Sequence, residues 1–170
     1  MSAKIRNERE LRAARLRGQI LPLFSTLAAS CLVLLPFIAV TPAMPPFGFM
    51  MLIAWRLLRP ELWPMWIGLP LGLFDDLISG QPIGSAMMLW TLALLVIDGI
   101  NQRLVWRDYW QDWLIAAGLI IAVLLGGLAT ANGAGGEGHI LLIVPQMIIS
   151  VLAYPVVARL CALLDRWRLS

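Results

Sequence analysis

The sequence predicts an all-α, polytopic membrane bundle of about six transmembrane helices, and three observations predict it. Of the 170 residues, 60% are hydrophobic and 14% charged, where soluble domains average ~45–50% and ~25%. A chain this short buries only ~70% of the surface it exposes when unfolded, so a soluble domain could not hide that much apolar surface. The apolar runs are continuous rather than alternating, which argues against a transmembrane barrel. The same figures exclude a disordered chain and a disulfide scaffold.

The elements follow in order. Residues 1–18 form a basic cytoplasmic head with Lys4, Arg6, Arg9, Arg12, Arg15 and Arg17 against Glu8 and Glu10. It reads as a topology determinant touching anionic membrane lipid. The apolar run behind it is too long for the 7–15-residue core of a signal peptide, so it is a retained first span. Gln19 to Leu164 hold 146 residues. Six helices of ~20 residues need about 120, which leaves short loops and one domain. Proline, glycine and charge place the spans at about 19–40, 46–58, 63–80, 82–102, 113–131 and 140–164, with a cytoplasmic tail at 165–170. Pro82 is placed to open the fourth helix. The second span, at ~1.5 Å per residue, rises only ~20 Å; it is either a short helix in a thinned region or one that does not fully cross.

With the N-terminus inside, all thirteen basic residues fall on the inner side: six in the head, then Arg56, Arg59, Arg103, Arg107, Arg159, Arg166 and Arg168. The outer side carries Asp75, Asp76 and Glu137. That pattern predicts an even number of spans with both termini cytoplasmic. Trp55, Trp63, Trp66, Trp106, Trp110, Trp113 and Trp167 cluster near the inner interface, and Trp90 is mid-span. Cys31 and Cys161 lie at different depths and read as buried small hydrophobes, not as a disulfide or metal pair.

The third span is the informative one. Twelve uncharged residues, Trp63 to Phe74, precede Asp75 and Asp76. Asp75 then sits ~18 Å along the helix, inside a ~30 Å hydrocarbon core, unless local thinning brings both acids to the outer interface. Acids at such depth are functional candidates. At the C-terminal end of an outward-running helix the dipole opposes them, so they need water, a hydroxyl, backbone donors, protonation or a partner. Gly68, Gly72, Asp76 and Gly80 share one face, and small residues let helices approach closely in lipid. A second small-residue ladder, Gly118, Ala122, Gly126 and Thr130, marks the fifth span as a packing stripe. Asp98 reads as an interfacial ion pair with Arg103 or Arg107. His139 stands alone beside Glu137. The sequence has no P-loop, GxSxG or HExxH motif. With one histidine and one adjacent acid pair, no catalytic residues, metal ligands or cofactor are expected, and the chain does not read as an enzyme.

The run Gly72-Leu73-Phe74-Asp75-Asp76-Leu77-Ile78-Ser79-Gly80-Gln81-Pro82-Ile83-Gly84 resembles the bacterial rod shape-determining protein MreD family. That family's pattern, G-L-x-x-D-x-x-x-G-x-P-x-G, places its acid on Asp76; the neighbouring Asp75 is a departure from it. The basic head, the short proline-flanked second span and Tyr154-Pro155 extend the likeness over the chain. The resemblance implies a scaffold and adaptor of the cell-elongation machinery in the bacterial inner (cytoplasmic) membrane. It implies binding to an MreC-like single-pass protein and support of rod shape and lateral peptidoglycan synthesis. The MreB filament, RodA and penicillin-binding protein 2 would be indirect partners; no nucleic acid is expected. The residues proposed for partner contact or packing are Gly68, Gly72, Asp75, Asp76 and Gly80, with Pro82 and Gly84 shaping the turn. The family's fold is similar to the S subunits of energy-coupling-factor transporters, so the alternative is a substrate-binding subunit of a vitamin-type transporter. Such a subunit uses a small-residue ladder on its first helix; here Ser25 and Ala29 are followed by Val33, so the ladder is incomplete, and Thr41 to Pro46 is short for a lid.

Overall fold

The computed structural model describes residue 18 and residues 20–34, 44–103 and 108–169. The basic head to Arg17, the end of the first span, Trp106 and Arg107 lie outside the described residues. Six helices follow in order: α1 Ile20–Leu34, whose last turn, Cys31–Leu34, is 3-10; α2 Phe47–Leu58; α3 Gly68–Ser79, led in by a 3-10 turn at Met65–Ile67; α4 Ser85–Arg103; α5 Tyr109–Gly133; and α6 Ile140–Leu169. Helices α4, α5 and α6 are long and apolar enough to cross a bilayer.

The short second helix is the centre of the molecule. Ten of the twelve residues of α2, Gly48 to Leu57, are buried, and α4, α5 and α6 all pack on it. A helix apolar on every face belongs inside a bundle. Enclosed in this way, α2 has almost no surface left for lipid to contact. Trp55, wholly buried, donates its indole N–H to the Ser25 hydroxyl of α1 at 2.9 Å. Trp63 and Trp90 are buried too. Among the described residues Trp66, Trp110 and Trp167 alone stand exposed as an interfacial belt requires, so Trp55 and Trp63 are core residues rather than members of it. Cys161 is buried against Met51, but Cys31 is exposed.

Helix α6 runs through Pro145 and Pro155. A proline lacks the N–H that would bond the carbonyl four residues back. For Pro155 that carbonyl is Val151, and the Trp113 indole of α5 donates to it at 3.3 Å. Arg59 joins the ends of α2 and α6 by bonding Asp165 at 2.9 Å. Arg56 of α2 pairs with Asp98 of α4 and donates to the backbone carbonyls of Pro60 and Trp63. These bonds gather the C-terminal ends of α2, α4 and α6 at one end of the bundle. The turns Gly80–Gly84 and Ala134–His139 lie at the other.

Candidate functional site

The site grows from the antiparallel hairpin of α3 and α4, the most extensive helix pairing among the described residues. Glycine makes it close. A Cβ on Gly68 would stand 3.0 Å from the backbone of Thr91, and one on Gly72 only 2.6 Å from that of Met87. The glycine face of α3 is thus occupied by α4 of the same chain. It is an internal packing face, and a partner's helix has no access to Gly68 or Gly72.

One turn beyond Gly72 on that face is Asp76, 2% exposed. Its Oδ2 accepts the N–H of Gly84 at 2.8 Å and that of Met87 at 3.4 Å. Its Oδ1 accepts the N–H of Ala86 and the hydroxyl of Ser85, both at 2.9 Å. The first N–H groups of an α-helix have no intrahelical acceptor, and that end carries the positive pole of the helix dipole. Asp76 therefore caps α4 from the end of α3. The dipole of its own helix opposes the charge, and the dipole of the next one offsets it. Of the compensations the sequence left open, backbone donors and a hydroxyl are the ones used.

The turn between them is built to bring α4 back within reach. Gly80 ends α3 at φ 68° and Gly84 sits at φ 99°, the left-handed region where a side chain is disfavoured. Pro82 does not open the helix. It lies three residues ahead of Ser85 and its carbonyl accepts the Ser85 N–H at 3.0 Å; the groups captured by Asp76 set where α4 begins.

Asp75 points away from this cap. It is half-buried beside Ser30 of α1, and lines a cavity of about 360 Å³ with Ser79, Gln81 and Gln146. The fifth-span ladder divides. Gly126 packs against the Leu89 side chain, and Thr130 bonds the Gly127 carbonyl at 2.9 Å. Gly118 faces open space, and Ala122 is exposed. The stripe meets α4 at one end and the surface at the other. Asp98 takes Arg56 as its partner rather than Arg103. The two are 42 residues apart, and no local spacing signals such a pair. Among the described residues no three His, Cys, Asp or Glu side chains group as a metal site needs.

Fold and site together define a polytopic α-helical membrane protein ordered around a carboxylate-pinned hairpin. The family model for the rod shape-determining protein MreD matches residues 14–164, and the chain belongs to the MreD family. This is a shape-determining membrane protein family, not a known enzyme family, and the chain's role lies in rod shape determination together with other proteins. No curated protein and no solved structure matches the chain.

Proposed function

We propose that the chain is an inner-membrane scaffold of the cell-elongation machinery, with both termini cytoplasmic, that binds an MreC-like single-pass protein and so supports lateral peptidoglycan synthesis. The observation that carries this reading is the family match over residues 14–164. The charge pattern supports the orientation, because every basic residue falls to one side of the spans. MreB, RodA and penicillin-binding protein 2 would be reached through the bound partner.

The docking element in this reading is the α3–α4 hairpin. Asp76, Gly80, Pro82 and Gly84 act by fixing its shape, and Gly68 and Gly72 by closing it. Its outward edge makes the contact: Leu69, Met88 and Leu92 line a shallow groove with Gly84 and Thr91, and Leu77 and Ile83 are exposed beside the turn. A small residue and a hydroxyl in an apolar groove allow a second helix to approach closely in lipid. The test is photo-crosslinking in native membranes from positions 77 and 83, with exposed Leu163 of α6 as control. Capture of a single-pass partner from the hairpin and not from Leu163 is expected; capture from Leu163 alone would sink the assignment.

A further inference from the structure

Two adjacent carboxylates meet different fates at the end of α3. Asp76 receives four donors from α4 and its turn. Asp75 has the Ser30 side chain of α1 beside it, and among the described residues no Lys or Arg pairs with it. An ionised carboxylate offers about four lone-pair sites, and leaving them unmatched away from water is costly. Beside it is the cavity of about 360 Å³, at the small end of the ~300–1,000 Å³ range of ligand pockets.

The lining chooses the ligand's chemistry. Trp90, Leu124 and Ile143 supply apolar walls, and Asp75, Gln81 and Gln146 supply polar atoms. The Gln146 amide N–H is already donated to the Met44 carbonyl at 2.6 Å. The Gln81 amide oxygen lies 3.4 Å from the Ser85 hydroxyl oxygen, whose proton goes to Asp76, so that amide oxygen is left as an open acceptor. Among the described residues no Lys, Arg or His lines the cavity. Among the described residues the lining offers one carboxylate and amide oxygens and no cation, so an anionic head is disfavoured and a charged donor is favoured.

We propose that this cavity binds a primary ammonium group on a short apolar body, with Asp75 as its counter-charge. The inference is independent of the scaffold reading, since it rests on the cavity and not on the outer edge of the hairpin. The ammonium has two possible sources, a free small amine or the ethanolamine head of a phospholipid.

The test is thermal unfolding of the purified full chain in neutral detergent, with n-hexylamine against n-hexanol, and with phosphatidylethanolamine against phosphatidylcholine in mixed micelles. Hexylamine at a hundredfold excess over its Kd raises the unfolding midpoint by about 5 °C, and hexanol does not. Asp75→Asn abolishes the rise. So does Gly127→Leu, which leaves Asp75 in place: a Cβ there meets only the Gln81 amide oxygen, at 3.8 Å, so the new side chain grows into the cavity without a backbone clash. A rise with phosphatidylethanolamine alone, lost in both variants, supports the proposal and assigns the source to lipid. Equal shifts with hexanol, a response retained in either variant, or no shift from either ammonium source overturns it.

Discussion

The carboxylate of Asp76 accepts the backbone N–H of Ala86 at 2.9 Å, so the last turn of one helix caps the first turn of the next. The bond is one of four from the same stretch. Together with the glycine contacts at Gly68 and Gly72 it sets the register of α3 against α4 along the whole hairpin.

Removing that cap strands several donors at once. Hydrogen bonds to a charged group contribute about 1.5–3 kcal/mol each, and they are not additive. Asp76→Ala is expected to cost at least about 3 kcal/mol, and Asp76→Asn less, because its amide oxygen still accepts. Thermal unfolding of the purified protein in mild detergent reads both. An Asp76→Ala midpoint equal to wild type contradicts the capping role.

The glycines separate by what a methyl group would meet. Gly72→Ala drives a Cβ to 2.6 Å from the Met87 backbone, and overpacking of that kind costs about 1–3 kcal/mol. Gly118→Ala meets nothing within 4 Å and is expected to stabilise its helix by up to about 1 kcal/mol. Gly126→Ala lies between, because its Cβ presses on the flexible end of Leu89. The order of unfolding midpoints, Gly118→Ala highest and Gly72→Ala below Gly126→Ala, is the observable.

The pair of Arg56 and Asp98 predicts a rescue. The Arg56 side chain is 6% exposed and that of Asp98 21%. Truncating one partner of a buried ion pair costs about 3–5 kcal/mol, while replacing both with apolar residues is often neutral. Arg56→Met alone should therefore destabilise strongly, and Arg56→Met with Asp98→Leu should recover most of the loss. A double variant no better than the single one means that the bonds from Arg56 to the Pro60 and Trp63 carbonyls matter more than the pair.

A second cycle joins Trp113 and Pro155. Trp113→Phe removes the donor to the Val151 carbonyl and should cost about 1 kcal/mol. In a Pro155→Ala background the helix supplies its own N–H to that carbonyl, and the same change should be nearly neutral. Equal costs in the two backgrounds would mean that the indole contributes packing alone.

Much of this architecture is legible in the sequence because hydropathy and proline placement are local. The gap from Ser79 to Gly84 and the glycine run before His139 mark turns wherever the helices go. What hydropathy does not report is which apolar medium surrounds a segment. The segment 46–58 reads as a short span, thinned around or incomplete, and its residues Gly48 to Leu57 are enclosed by protein. The acids show the same limit. The need of Asp76 for donors is visible from its depth and helix position. Their source is not, since it depends on the turn through Gly80 and Gly84 bringing residues 84–87 back onto the end of α3. Arg56 and Asp98 are further apart still, at 42 residues, and Arg103 and Arg107 stand much nearer to Asp98 in the sequence.

The measurement closest to the central claim is capture of the tagged chain from native membranes in mild detergent, with mass spectrometry of what accompanies it. A membrane scaffold of rod shape brings down a single-pass protein with an extramembrane coiled coil, together with wall-synthesis proteins. It brings down less of them when Ile83→Lys charges the exposed edge of the hairpin. A membrane coupling subunit with paired ATPases in their place would contradict the scaffold account.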